Sequence, residues 1–369
     1  MEAIWLNARE RFQRLMHFKE IDRIPLWDLE GITPGTISEW VKQGFPNGPS
    51  PWDYFNFDKK ERLPINFGPI PSYVYKIIEE NDEYRTFINN FSFTEVFAKK
   101  YGSGYRAYHY IDTPVKTRED WKEYKKRYQP DPRRFPLTWG EELFEYYRDI
   151  EWPVEMWMDW GPGRGPKAGY TLGVEKFLAT LVRNPDWVHD IMSSYADFAL
   201  KVLKEVVKVK LDIMVFTEDG LAYKHGTIIS PRIYEEFFYP YHKKVIDFLR
   251  SNGVDIICEY TSGNIEALVP LFLKAGFNLF GPLEVAAGMD HRKLRGEYGG
   301  KILLWGNMGR QSLMDGPDAV EKEFNAKVPG WVEQGGYLPV VDDMILPDIS
   351  FASYTRYVKL LKEYKMKYR

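Results

Sequence analysis

The sequence predicts an α/β chain folded as a (β/α)8 TIM barrel, and three observations carry that expectation. From residue 154 to the end, short β-rich runs alternate with helices, the pattern of a parallel sheet with crossover connections. The helices between them are punctuated by cap residues, prolines and glycines. No G-x-G-x-x-G follows any of the runs, which removes the main fingerprint of an open dinucleotide-binding sheet.

The elements can be justified in order. Asn7 and Glu10 have the spacing of a capping box, and Phe12, Leu15 and Met16 give the N-terminal helix an apolar face. A strand-like run, 23–28, follows it. Residues 31–153 are rich in Pro, Gly and aromatic residues and read as an insertion with β-hairpin character covering one end of the domain, with helical islands near 94–100 and 117–127. Beyond it come the runs 154–160, 211–217, 254–260, 278–283, 301–306 and 337–342. Helices begin between and after these runs at Asn184-Pro185, Ser230-Pro231, Asn264, Pro317 and Ser350, where a cap side chain or an N1 proline deals with the orphan amides. Gly253 and Gly276 are placed to end two helices in the left-handed conformation. With 23–28 there are seven candidate strands, and an eighth is expected inside the aromatic insertion. Residues 1–369 read as one barrel domain.

Composition bounds the function. With 44% apolar residues the chain can bury a large core, and a formal net charge of −3 with dispersed Lys and Arg gives no footprint for nucleic acid or anionic lipid. One cysteine, Cys258, excludes an internal disulfide framework and a multi-cysteine metal site, and the expected setting is the reducing cytoplasm. No run of 18 apolar residues and no signal-like h-region occurs, so a membrane span is not expected. The expected partner is a small molecule. The 25 Tyr and 12 Trp residues suit either an aromatic-lined cleft or an aromatic surface.

Acids recur at the strand ends: Asp28 and Glu30, Asp159, Glu218 and Asp219, Glu259, Glu284, Asp342 and Asp343. In a parallel barrel all carboxyl ends share one face, where the active site lies, so these acids are expected to converge. Any single one is explained as well by capping or a loop ion pair; the set is not. The loop 216–226 adds Tyr223, Lys224 and His225. From these positions Glu218, Asp219, His225, Glu259 and Asp342 are the candidate acid/base residues. Trp27, Asp28, Asp159, Tyr223, Tyr260, Asn264, Glu284 and Asn307 are candidates for binding substrate, and Glu259 and Asp343 for binding a metal. The histidines show no ligand spacing, and His17, His189, His242 and His291 read as surface or packing residues. Cys258 reads as a buried small hydrophobe.

The stretches NARERFQRLMHFKEIDRIPLWD, TEDGLAYKHGTIISPRIYEEFFYPYHKKVIDFLRSNG, LLWGNMGRQSLMDGP and GGYLPVVDDMILPDISFASYTRYVKLL resemble the uroporphyrinogen decarboxylase superfamily, closest to its cobalamin-dependent methyltransferase-like branch. The resemblance implies a (β/α)8 barrel and one of two chemistries, decarboxylation of tetrapyrrole acetates or methyl transfer involving a corrinoid. The R-Q-A-G-R-type motif of the decarboxylases is replaced here by the run 28–35, DLEGITPG. The His-x-Cys-Gly-Asn of the methyltransferases is replaced by Tyr260-Thr261-Ser262-Gly263-Asn264, and the late cysteine position resembles Val341. The Gly-Asn is kept and the thiolate zinc ligands are not. The expectation is therefore the demethylase half-reaction on a small methylated substrate of the methoxy (an aryl ether included) or methylamine type, with the corrinoid supplied by a separate protein because no Asp-x-His-x-x-Gly occurs. The alternatives are a carboxy-lyase, with Arg106, Lys224, Arg292 and Arg310 as candidate cations, and a non-catalytic binding barrel. A homodimer is compatible with the family.

Overall fold

A computed structural model describes residues 5–28, 31–99, 108–160, 170–218 and 220–368. The strands in chain order are β1 (Glu61–Arg62), β2 (Lys76–Glu80), β3 (Tyr84–Ile88), β4 (Thr94–Ala98), β5 (Tyr108–Asp112), β6 (Val154–Asp159), β7 (Ile213–Thr217), β8 (Ala222–Tyr223), β9 (Gly226–Thr227), β10 (Ile257–Tyr260), β11 (Leu279–Gly281), β12 (Leu303–Met308) and β13 (Tyr337–Val341). Seven of them form one parallel sheet in the order β1-β6-β7-β10-β11-β12-β13. Helices cover its outer face, so both faces are buried and β7, β10 and β13 are buried at every position.

The sheet is strongly curled. Trp157 on β6 and Trp305 on β12 are separated by three intervening strands, yet their rings lie 6.1 Å apart. A flat sheet would separate those strands by roughly 19 Å. Alternation along the strands sorts the side chains. Ile213, Val215, Cys258, Tyr260, Leu279, Leu303, Trp305, Leu338 and Val340 join the N-terminal helix and Trp27 in one core on the concave face. Met214, Phe216, Ile257, Phe280, Leu304 and Tyr337 join a second core under the outer helices.

The punctuation read from sequence matches the structure in most places. The helix Ala8–Met16 has the Asn7–Glu10 capping box, and helices begin at Pro185, Pro231, Pro317 and Phe351. Gly253 and Gly276 have φ of +85° and +111°.

Four details differ. The run 23–28 forms no ladder; its Leu26 exchanges hydrogen bonds with Asp58, whose carboxylate and backbone replace a neighbouring strand. The strand expected inside the insertion is β1, only two residues long, which brings the sheet to seven strands among the described residues. Residues 94–98 are not helical: β-branched and aromatic residues pair them as β4 in the antiparallel sheet β2-β3-β4-β5. The helix placed at Asn264 begins only at Val269, because Asn264 turns to accept from Glu266 N–H and its amide donates to Ala287 O.

Candidate active site at the carboxyl ends of the sheet

The concave face carries a polar and aromatic cluster, the mouth of the sheet, in which Trp27, Glu155, Tyr260 and Trp305 are buried. On β6, Glu155, Trp157 and Asp159 share one side through the period-2 alternation of a strand. Trp157 packs against Tyr260 of β10 at 5.2 Å and Trp305 of β12 at 6.1 Å, and Trp305 meets Trp27 at 6.1 Å. Lys60, just before β1, sets its ammonium 5.4 Å from the Trp27 ring and 6.0 Å from the Trp305 ring. Arg62 lays its guanidinium 4.1 Å from the Trp157 ring centroid. The protein's own cations therefore occupy cation–π positions on three of the indoles.

Carboxylates balance those cations. Arg62 Nε donates to Glu155 Oε1 at 2.9 Å, and Lys60 Nζ lies 3.7 Å from Glu155 Oε2 and 3.9 Å from Asp28 Oδ1. Burial alone would push the Glu155 carboxyl up, but Lys60 and Arg62 hold it below the usual range. Asp159 Oδ1 accepts from Thr217 Oγ1 at 2.6 Å, and its carbonyl accepts from Tyr195 at 2.5 Å. Asp28 accepts from the Trp52 indole N–H at 2.9 Å.

Asp343 lines a small cleft of about 10 Å³ beside the mouth, with Trp27, Asp28, Gly31, Ile345 and, from the helix Phe351–Glu363, Tyr354 and Tyr357. Asp343 is exposed by surface area, while the burial of its surroundings pushes its carboxyl up. Glu284 and Asp348 add to this, while Met344 N–H and Arg310 oppose it.

The expected ring of acids separates into groups. Asp28, Asp159 and Asp343 lie at the mouth or beside it, with Trp27 and Tyr260. Glu218 and Glu259, which were expected to converge there, are fully buried. Glu259 shares its side of the sheet with Phe216 and Phe280, under the outer helices. Glu218 Oε1 lies 2.9 Å from His242 Nε2, and His242 Nδ1 lies 2.8 Å from Tyr234 Oη, in a polar network behind the sheet. Of the two readings of His242, surface or packing, the structure gives the second: it is a buried partner of Glu218. The cause is parity, since each of these glutamates stands one residue away from an inward-facing position.

Asp342 is a brace. Its Oδ2 accepts from Val285 N–H at 2.6 Å and its Oδ1 from Arg310 N–H at 2.8 Å, tying three strand-end loops together. Burial pushes its carboxyl up to about 6 against those two hydrogen bonds. Glu284 accepts from Gly263 N–H at 2.9 Å. Gly263 cannot carry a side chain: its φ is +87° and a Cβ would stand 2.6 Å from Tyr223 N. Asn307, at φ +64°, donates to the carbonyls of Leu283 and Met289 and meets His291, so it fixes the turn after β11. Tyr223 and His225 are exposed on the β8–β9 hairpin. Asp219 and Glu30 lie outside the described residues, as does Arg106.

The metal expectation does not fit these side chains. Glu259 and Asp343 do not come together, and among the described residues no group of three His, Cys, Asp or Glu could hold an ion. The thiolate zinc positions are filled by Tyr260, Ser262 and Val341. Cys258 is buried, and burial raises its thiol far above the ordinary value, as for a packing residue. A cavity of about 540 Å³, lined by Phe18, Glu20, Glu333 and Lys367, lies before β13 at the opposite end of the strands, away from these groups.

Sequence reasoning missed Lys60, Arg62, Glu155, Trp157 and Trp305. The signal that could have found them is alternation, Lys-x-Arg at 60 and 62 and Glu-x-Trp-x-Asp at 155, 157 and 159, which places each set on one side of a strand.

A curled parallel sheet with Asp159, Glu284, Asp342 and Asp343 at or just past its carboxyl ends defines an α/β enzyme architecture, and the comparisons agree. Residues 167–364 match the family model described as uroporphyrinogen decarboxylase (URO-D), and the chain belongs to that family. It is similar to the uroporphyrinogen decarboxylases of Christiangramia forsetii, 27% identical over 182 residues, and Hydrogenovibrio crunogenus, 23% over 197. These alignments span 49% and 52% of this chain and 50% and 53% of those proteins, so the chain matches about half the length of its curated relatives. A methyltransferase from Methanosarcina mazei shares the fold with a TM-score of 0.63, covering 97% of this chain and 99% of that one at 13% identity. No described helix is long and apolar enough to cross a membrane.

Proposed function

We propose that the chain transfers a methyl group from a small methoxyaromatic substrate to a corrinoid carried by a separate protein in the cytoplasm. The reading takes the sheet as a closed (β/α)8 barrel with the segment 24–28 in the remaining place; the parallel bridge between Ile32 and Ile345 supports that closure.

The observation that carries the proposal is the aromatic wall of Trp27, Trp157, Tyr260 and Trp305 with Lys60 and Arg62 already on its indoles. An aromatic box awaiting a cationic methylammonium would leave those faces free. Occupied as they are, the rings favour a neutral arene stacked edge-on or offset. The charges of Lys60 and Arg62 are matched by Glu155 and Asp28, so the mouth is also poorly suited to a polycarboxylate.

Cleaving a methyl ether requires a proton for the departing oxygen. Asp343 is the group with a raised carboxyl beside the mouth, and it serves as the acid. The CH3–O bond breaks with its electron pair left on oxygen, which takes the Asp343 proton; a cob(I)alamin brought by the partner would be the methyl acceptor and would supply the pair for the new bond to carbon. The chain's own tasks are to stack the ring, shield it from water and hold that proton. Asp159, fixed by Thr217, borders the arene.

A second reading, a carboxy-lyase, is favoured by Lys60 and Arg62, whose remaining N–H groups could hold one carboxylate, and by the names of the curated relatives. Incubation with methoxyarenes and cob(I)alamin, on its own or carried by a corrinoid protein, distinguishes the two. Methylcobalamin and the matching phenol are expected, and Asp343→Asn should slow their formation by about 10²-fold or more. Carbon dioxide release from an aryl acid with no methyl transfer would establish the lyase instead.

A further inference from the structure

The antiparallel sheet of the insertion ends in an edge with unusual composition. Every residue of β2 is exposed, and β2 has no strand on its outer side among the described residues. Val74, Tyr75, Ile77 and Ile78, with fractional exposures of 83%, 45%, 45% and 54%, place four large apolar side chains in five consecutive positions. A bare edge with such side chains is a template for a further strand.

The ladder with β3 says which strand would fit. Lys76 pairs with Ile88, Ile77 with Phe87, and then Glu79 with Thr86, so Ile78 is an extra residue without a β3 partner. This bulge brings Lys76 and Glu79, three apart in sequence, onto the same side of the strand. Neither makes an ion pair within the described chain, whereas the neighbouring Glu80 is committed to Arg85 and Lys99. The segment carries a free positive charge towards one end, a free negative charge towards the other and two isoleucines between. It is therefore complementary to itself when reversed.

We infer that the β2 edge pairs antiparallel with β2 of a second copy of this chain about a two-fold axis. Lys76 of each copy stands opposite Glu79 of the other, and Ile77 opposite Ile78. Cross-strand pairs of these types stabilise such an edge, and the two-fold repeats each contact twice. The bulge gives the register a fixed centre.

Sedimentation over a concentration series tests this with the full chain. The wild type should be a dimer at micromolar concentration. Lys76→Glu should weaken dimerisation by about tenfold or more by setting like charges opposite each other twice, and the double variant Lys76→Glu/Glu79→Lys should recover it. Ile78→Lys should also dissociate the dimer, and thermal unfolding should show all three variants folded. A wild type that stays monomeric, or a dimer insensitive to Lys76→Glu and Ile78→Lys, overturns the inference and leaves the edge to another occupant or to none.

Discussion

His242 Nε2 and Glu218 Oε1 lie 2.9 Å apart with both side chains fully buried behind the sheet. Tyr234 extends the contact from the other ring nitrogen, and Glu218 Oε2 has no hydrogen-bond partner among the described residues. The network joins the end of β7 to the helices Pro231–Phe237 and Tyr239–Ser251. Glu218→Ala would strand a ring nitrogen in the core and leave a void, at a cost of about 2–4 kcal/mol. Glu218→Gln keeps one hydrogen bond and should cost about 1 kcal/mol. Urea unfolding midpoints check both values. Methyl transfer by the folded Gln variant should stay close to wild type, because Glu218 does not reach the mouth.

Two groups make stability depend on acidity with opposite sign. His291 stacks on Tyr337 with centroids 4.1 Å apart, and burial pushes its imidazole down to about 4 from 6.5. Its stabilising contribution is complete above pH 6.5 and is lost as pH falls through about 4. Asp342 moves the other way, from 3.8 up to about 6, so its contribution is complete below pH 3.8 and lost as pH rises through about 6. Between pH 6 and 4 the two oppose each other. His291→Phe should therefore flatten the loss of stability on acidification, and Asp342→Asn should steepen it, each by about 2–3 kcal/mol over that window. Chemical unfolding at pH 4, 5, 6 and 7 measures both slopes.

Gly306 lies on β12 at φ +112°, where a Cβ would meet Pro282 O at 1.8 Å. Gly306→Ala must displace backbone between β11 and β12, and a loss of more than about 3 kcal/mol is expected. Gly253, at φ +85° with nothing within 4 Å of a Cβ, supplies the contrast. Gly253→Ala meets only the backbone preference and should cost about 1 kcal/mol. Melting temperatures of the two variants test the difference.

The sequence by itself determined the alternation of strands and helices, most helix starts and the family. Those features are written locally: a serine or proline at a cap, a glycine at a left-handed stop, a β-rich run between them. It also placed polar residues at strand ends. What it left undecided is the side of the sheet on which each one falls. Glu218 and Glu259 stand next to strand ends just as Asp159 and Asp343 do, but a shift of one residue sends a side chain to the opposite face. Only the tertiary structure, by laying helices over one face and curling the other until Trp157 and Trp305 meet, buried the first two behind the sheet and left the others at its concave end. Lys60 and Arg62 were hidden for a related reason. They come from the irregular insertion, and only its two-residue strand β1, pairing with β6, brings them onto the indoles.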